Sequence, residues 1–125
     1  MIADFGKFYT DGGFFMHPIM LLGLGTAVIA AVYAASSLRV MLPLLVAGTL
    51  ATLLMGGNGT AFGIINAIEA TATAPEDMKT QMLCASITIS LNALRLALAF
   101  AIVHVAVGSV GLFIAGLKRG AKTTP

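Results

Sequence analysis

Residues 40–68 run without a single charged side chain, and the run closes on "MGGNGTAFGIINAI", where glycine, asparagine and threonine take the place of leucine and valine. A helix over this whole stretch would be about 43 Å long, well beyond the roughly 30 Å hydrocarbon core of a bilayer. The rest of the chain is as apolar. Of its 125 residues 58% are hydrophobic and 10% charged, and mean hydropathy is +0.98, whereas soluble domains carry roughly 25% charged residues. The expected fold class is an all-α membrane protein forming a single transmembrane domain over residues 1–125.

Three transmembrane helices are expected. Residues 18–36 contain no charge, open on Pro18 and close on Ser36, just ahead of Ser37 and Arg39, a length that suits one crossing. Residues 40–68 form the second span, which has to tilt, break or protrude. "EATATAPEDMKTQ", residues 69–81, is polar and contains Pro75, which predicts an aqueous turn. Residues 82–117 form the third span, interrupted by Arg95 and His104. Ahead of the first span, Ile2, Phe5, Phe8 and Tyr9 lie opposite Asp4, Lys7 and Asp11, a pattern for a short interfacial helix over about 2–11. The acidic residues and the absence of a small-residue cleavage pattern argue against a signal peptide. Arg39 in the first connection and Lys118, Arg119 and Lys122 after the third span put the N-terminus outside and the C-terminus in the cytoplasm.

"DGGFFMHPIMLLGLGTAVIAAVYA" resembles the first helix of the MotA/TolQ/ExbB proton-channel family, with its Gly-rich approach, Met, aromatic or His, then Pro and a long apolar run. "GGNGTAFGIINAIEA" is similar to that family's second-helix pattern Gly-x-x-Gly-Thr-x-x-Gly, matched by Gly56, Gly59, Thr60 and Gly63. The resemblance implies a bacterial inner-membrane protein that assembles with itself, as a pentamer, around single-span partner helices of ExbD/TolR/MotB type, with the second and third helices lining the pore. Gly56, Gly59 and Gly63 would let backbones approach closely, and Asn58 and Thr60 would offer polar groups to the pore or a neighbouring helix. Two departures stand out. The family's long first connection, with its cytoplasmic helical module, is here "SSLR", and its third-helix pattern Glu-Ala-Leu-x-x-Thr-Ala is here "NALRLAL", so Asn92 takes the acidic position and Ala97 that of the threonine.

Arg95 is the sharpest single residue. Counted from Ile87 it lies about 12 Å along the third helix, which puts it in the central part of the membrane and predicts that it points into a bundle rather than at lipid. Thr88, Asn92, Arg95 and Ala99 share one helical face. If the second and third helices are antiparallel, Asn58 and Thr60 meet the level of Ser90 and Asn92, and with Arg95 these make a polar layer. His104 lies on another side of the helix, where Ala97, Ala101, His104, Gly108 and Gly111 form a small-residue packing face. The expected role of His104 is a hydrogen-bonded packing residue, with proton relay as the alternative.

Other functions find little support. Cys84 has no ligand partner at metal-binding spacing and reads as a small packing residue, and neither histidine has a second ligand three or four residues away. No nucleophile and base pair, no paired carboxylates within the spans and no phosphate loop occur, so no catalytic residue, cofactor or metal is expected. The net charge of +2 without a basic, aromatic-interleaved patch gives no sign of nucleic-acid binding. The expected function is an oligomeric membrane subunit with a proton-coupled transport or motor role. The alternative is a small non-catalytic accessory subunit of a respiratory, photosynthetic or transport complex. A third possibility is an anion or small-solute channel built on Arg95.

Overall fold

The computed structural model of the chain describes residues 13–120; the expected interfacial helix over 2–11 lies outside the described residues. Three helices follow one another, α1 (Met16–Ser36), α2 (Met41–Ala72) and α3 (Glu76–Gly120). Each is long and apolar enough to cross a membrane. α1 carries Pro18 in its first turn, where a missing N–H costs no helical bond. It ends at Ser37, whose backbone turns left-handed (φ 55°) and whose N–H donates to the Tyr33 carbonyl at 2.8 Å.

The polar stretch 69–81 differs from the turn expected of it. α2 continues to Ala72, α3 starts at Glu76, and only residues 73–75 leave the helical path. The residues there are mostly good helix formers whose polarity calls for water, not for irregular backbone. Pro75 closes the turn instead of breaking a helix: its carbonyl accepts from the N–H groups of Met78 and Lys79 at 3.0 and 3.1 Å. Glu76 and Asp77 then sit in the first turn of α3, where the exposed N–H groups favour negative charge.

All three helices pack against one another, with α2 and α3 forming an antiparallel hairpin and α1 lying along it. Their relative heights can be followed contact by contact. Phe15 sits beside Gly59 and Ala93, Gly23 faces Phe100, and Tyr33 faces Gly111. At one end Met16 and Ile19 pack with Ala93, Leu96 and Ala97. Towards the other, Ala30, Tyr33 and Leu45 form a second buried group.

This register fixes where a bilayer can lie. The 21 residues of α1 span about 31 Å, matching the hydrocarbon core with nothing to spare. The 32 residues of α2 and the 45 of α3 span about 48 and 68 Å. A bilayer crossed by all three must therefore coincide with α1. It then takes in residues 41–56 of α2 and 96–117 of α3, the latter free of charge between Arg95 and Lys118. Residues 57–94 would then form a two-helix hairpin at and beyond its edge. The "GGNGT" stretch lies level with the start of α1, where Phe15 sits against Gly59. Arg95 is level with the start of α1, whereas counting from Ile87 takes in a segment that α1 does not accompany.

Candidate functional site

The middle of the shared segment is polar and closed. His104 has no exposed surface, and Thr52 and Thr26 are 0% and 3% exposed. His104 lies about one turn from the level of Thr26, the midpoint of α1. Its Nε2 is 2.9 Å from the carbonyl oxygen of Gly23 in α1, and its Nδ1 is 3.3 Å from the Thr49 hydroxyl in α2. A carbonyl can only accept, so Nε2 carries a hydrogen and donates it. The Thr49 hydroxyl also lies 2.8 Å from the Leu45 carbonyl, and the Phe100 ring stacks on the imidazole at 6.0 Å. One side chain of α3 thus ties all three helices together.

The surroundings explain how a polar group is tolerated there. Thr26 fills the space over Gly48, where a Cβ would collide with its side chain. Thr52 donates to the Gly48 carbonyl at 2.8 Å, so its hydroxyl is satisfied within its own helix. A groove of about 280 Å³ between α2 and α3, walled by Leu45, Leu50, Val105 and Leu112, runs up to Thr49 and His104.

The small residues singled out in the sequence fall on the inner faces. A Cβ on Gly56 would meet Ala97 and the Ala93 carbonyl, one on Gly59 would meet Phe15 at 2.8 Å, and one on Gly63 would meet Ser90. Gly108 faces Leu45 and Gly111 faces Tyr33. Ala97 and Ala101 are buried beside His104 on the same face of α3. Thr60 is buried and reaches across the hairpin, donating to the Ser90 carbonyl at 3.1 Å, while the Ser90 hydroxyl donates to Ser86.

The other members of the expected polar layer part company. Asn58 and Arg95 are exposed and Asn92 is half-buried, and none of the three side chains has a hydrogen bond or ion pair among the described residues. Arg95 does not enter the three-helix bundle. The cause is helical phase: Ala97 faces Gly56 across the seam, so a residue two positions away on either helix points to the opposite side. Asn58 and Arg95 therefore project from opposite edges of the α2–α3 pair, at the same height. Cys84, expected as a packing residue, is exposed, because it lies on the hairpin where, among the described residues, no third helix covers α3. Among the described residues no three histidine, cysteine or acidic side chains gather as a metal site.

Comparison with family models, curated proteins and solved structures found no match. The residues that the sequence left unmarked are Thr26, Thr49 and Thr52. Their signal is the spacing of Thr49 and Thr52 on one face of α2, which becomes visible only once α1 is used to set the level of the membrane.

Proposed function

We propose that the chain is an oligomeric subunit of a MotA/TolQ/ExbB-like assembly in a bacterial inner membrane, closing as a ring around transmembrane helices of a partner. In this reading the 57–94 hairpin lies outside and the C-terminus in the cytoplasm, as the positive residues suggest. The observation that carries it is the pair Asn58 and Arg95, two polar side chains without partners among the described residues, on opposite edges of one helix pair at one height. Head-to-tail association joins opposite edges and brings the Asn58 of one copy to the Arg95 of the next, whereas a two-fold contact would set Arg95 against Arg95. The amide oxygen of Asn58 is a suitable acceptor for a guanidinium. Proton-coupled transport or a motor role belongs to the same proposal, and lipid surrounds the remaining apolar faces.

The short connection over residues 37–40 favours a second reading, an accessory subunit of a larger complex, since it leaves no cytoplasmic module to transmit force. Native mass measurement of the protein extracted with its lipids separates the two. A closed homo-oligomer, dissociated by Asn58→Leu, supports the ring. One copy beside unlike chains supports the accessory subunit and ends the ring proposal.

A further inference from the structure

One end of the bundle is basic and carries no acid. The acidic residues of the chain are Asp4, Asp11, Glu69, Glu76 and Asp77, so none lies between Gly12 and Ile68 or after Asp77. Arg39 stands where α1 gives way to α2, and Lys118 near the end of α3; both are exposed, and neither side chain has a hydrogen bond or ion pair among the described residues. Beside Arg39 a pocket of about 350 Å³ opens among Tyr33, Leu42, Leu112 and Gly116. Its Leu42 and Leu112 also wall the groove that runs between α2 and α3 to Thr49, and Val105 of that groove walls a further stretch reaching Leu53 and Leu98. Along α3, Leu98, Val105, Ser109, Leu112 and Gly116 recur three, four or seven residues apart, so the three stretches follow one helical stripe. The result is a continuous trough with a basic mouth.

Past the mouth the walls are apolar. The hydroxyls in the trough are bonded within their own helices, Ser109 to the Val105 carbonyl at 2.7 Å and Thr49 to the Leu45 carbonyl at 2.8 Å. α1 contributes no residue to these walls. From Leu42 to Leu53 the trough rises about 17 Å along α2, close to one leaflet, which is half of the roughly 30 Å core. A bilayer that coincides with α1 puts Arg39 at the level of the headgroups and the trough among the acyl chains. We propose that this trough binds one anionic phospholipid, its phosphate at Arg39 and one acyl chain laid along the α2–α3 seam. Charge selects the occupant. A guanidinium meets phosphate oxygens in a bidentate pair, and Lys118 adds to the attraction. A zwitterionic lipid fills the apolar part equally well but brings its own cation to the basic mouth, so the distinction between the two lipids rests on Arg39.

The site lies on one chain and does not depend on the ring reading. The test is native mass measurement of the full chain in detergent, with phosphatidylglycerol and phosphatidylcholine of the same acyl chains added in turn. The natural protein is expected to keep one phosphatidylglycerol per chain, about fivefold more tightly than phosphatidylcholine, the scale of one basic residue's attraction to anionic lipid. Arg39→Gln should bring the two lipids to one affinity by weakening phosphatidylglycerol alone. Ser109→Leu, at an exposed position, puts a larger side chain into the trough and should weaken both. Gly25→Leu, on α1 where a Cβ meets nothing within 4 Å, should weaken neither. Equal retention of both lipids by the natural protein, or a preference that survives Arg39→Gln, overturns the proposal. So does a loss in Gly25→Leu as large as in Ser109→Leu, or no loss in Ser109→Leu at all. An oligomer that carries no lipid and that Ser109→Leu dissociates would put a second copy of the chain in the trough and overturn it too.

Discussion

The segment in which three helices run together and the hairpin that continues without α1 are built from the same two helices, yet they hold their bulkiest polar side chains differently. Within the shared segment Thr26, Thr52 and His104 are buried and the imidazole binds across helices, while the exposed Ser109 donates to the Val105 carbonyl of its own helix. At its edge and beyond, Asn58, Arg95, Cys84 and Thr88 turn outward, Thr71 is buried on carbonyls of its own helix, and among the described residues only Thr60 bonds across the seam. The difference follows from solvent. Hydrocarbon offers no hydrogen bond, so a polar side chain there must find a partner inside the bundle, whereas past the end of α1 water or a neighbouring chain can supply one.

The sharpest way to break this comparison uses Cys84, the single cysteine of the chain, exposed on the hairpin. It lies about 17 Å past the Arg95 level along α3, outside the slab that α1 defines. A membrane-impermeant maleimide applied to intact spheroplasts is expected to label it fully. Labelling only after the membrane is opened would reverse the orientation. No labelling in either case, with the protein unfolded as a positive control, would put the hairpin in hydrocarbon or under a neighbouring chain.

Next in size is the seam where the two regions join. Leucine at Gly56 has to fit against Ala97, the Ala93 carbonyl at 3.1 Å and the Leu94 Cα at 3.5 Å, all on a helix that cannot give way locally. Overpacking of this kind costs typically about 1–3 kcal/mol. The same change at Gly57, where a Cβ meets nothing within 4 Å, should be nearly neutral for the chain itself. Equal losses at both positions, read by reversible unfolding in detergent, would show that the seam does not control the packing of α2 on α3.

How much of this was legible beforehand differs between the two regions. Three apolar helices follow from the length of the charge-free runs, and the inward face of α3 from the spacing of Ala97, Ala101, His104, Gly108 and Gly111, because a small-residue stripe has one packing partner available. Depth was not legible. A single span shows its own length but not its height against the others, so counting from Ile87 cannot place Arg95 against the start of α1. The level of α1, set by Phe15 against Ala93 and Tyr33 against Gly111, is a tertiary fact. The threonines around His104 went unmarked for the same reason. Thr49 has an ordinary bond to Leu45 in its own helix, and nothing local to it announces an imidazole from residue 104.

Thr60→Val sharpens the comparison by a smaller amount. Its hydroxyl is the bond that joins α2 to α3 above the shared segment, donating to the Ser90 carbonyl at 3.1 Å. Valine keeps the shape and removes the donor, which costs about 1 kcal/mol. The Ser90 carbonyl retains its place in the α3 ladder, so it is not left bare. The loss is expected as faster hydrogen exchange of the 57–94 amides, with those of residues 96–117 unchanged. Equal acceleration in both stretches would mean that the two regions open as one unit.

The smallest effect is expected at Arg95, and it decides the height of the whole molecule. A guanidinium held in the middle of hydrocarbon costs about 2.5–3.5 kcal/mol on insertion scales, so replacing it there with methionine would stabilise insertion by that amount. Level with Met16 and pointing off the bundle, the side chain reaches headgroups and water, and Arg95→Met should change insertion and chain stability by no more than about 0.5 kcal/mol. Methionine also keeps much of the apolar stem, so lost packing does not obscure the comparison. Glycosylation-based insertion of the third span alone, followed by unfolding of the whole chain, separates the contributions. A gain of several kcal/mol in both would move Arg95 back to the membrane centre, lift the hairpin into hydrocarbon and take His104 away from it. A change confined to the assembled protein would instead locate the partner of Arg95 in another chain, which is what its exposure and its pairing in height with Asn58 lead one to expect.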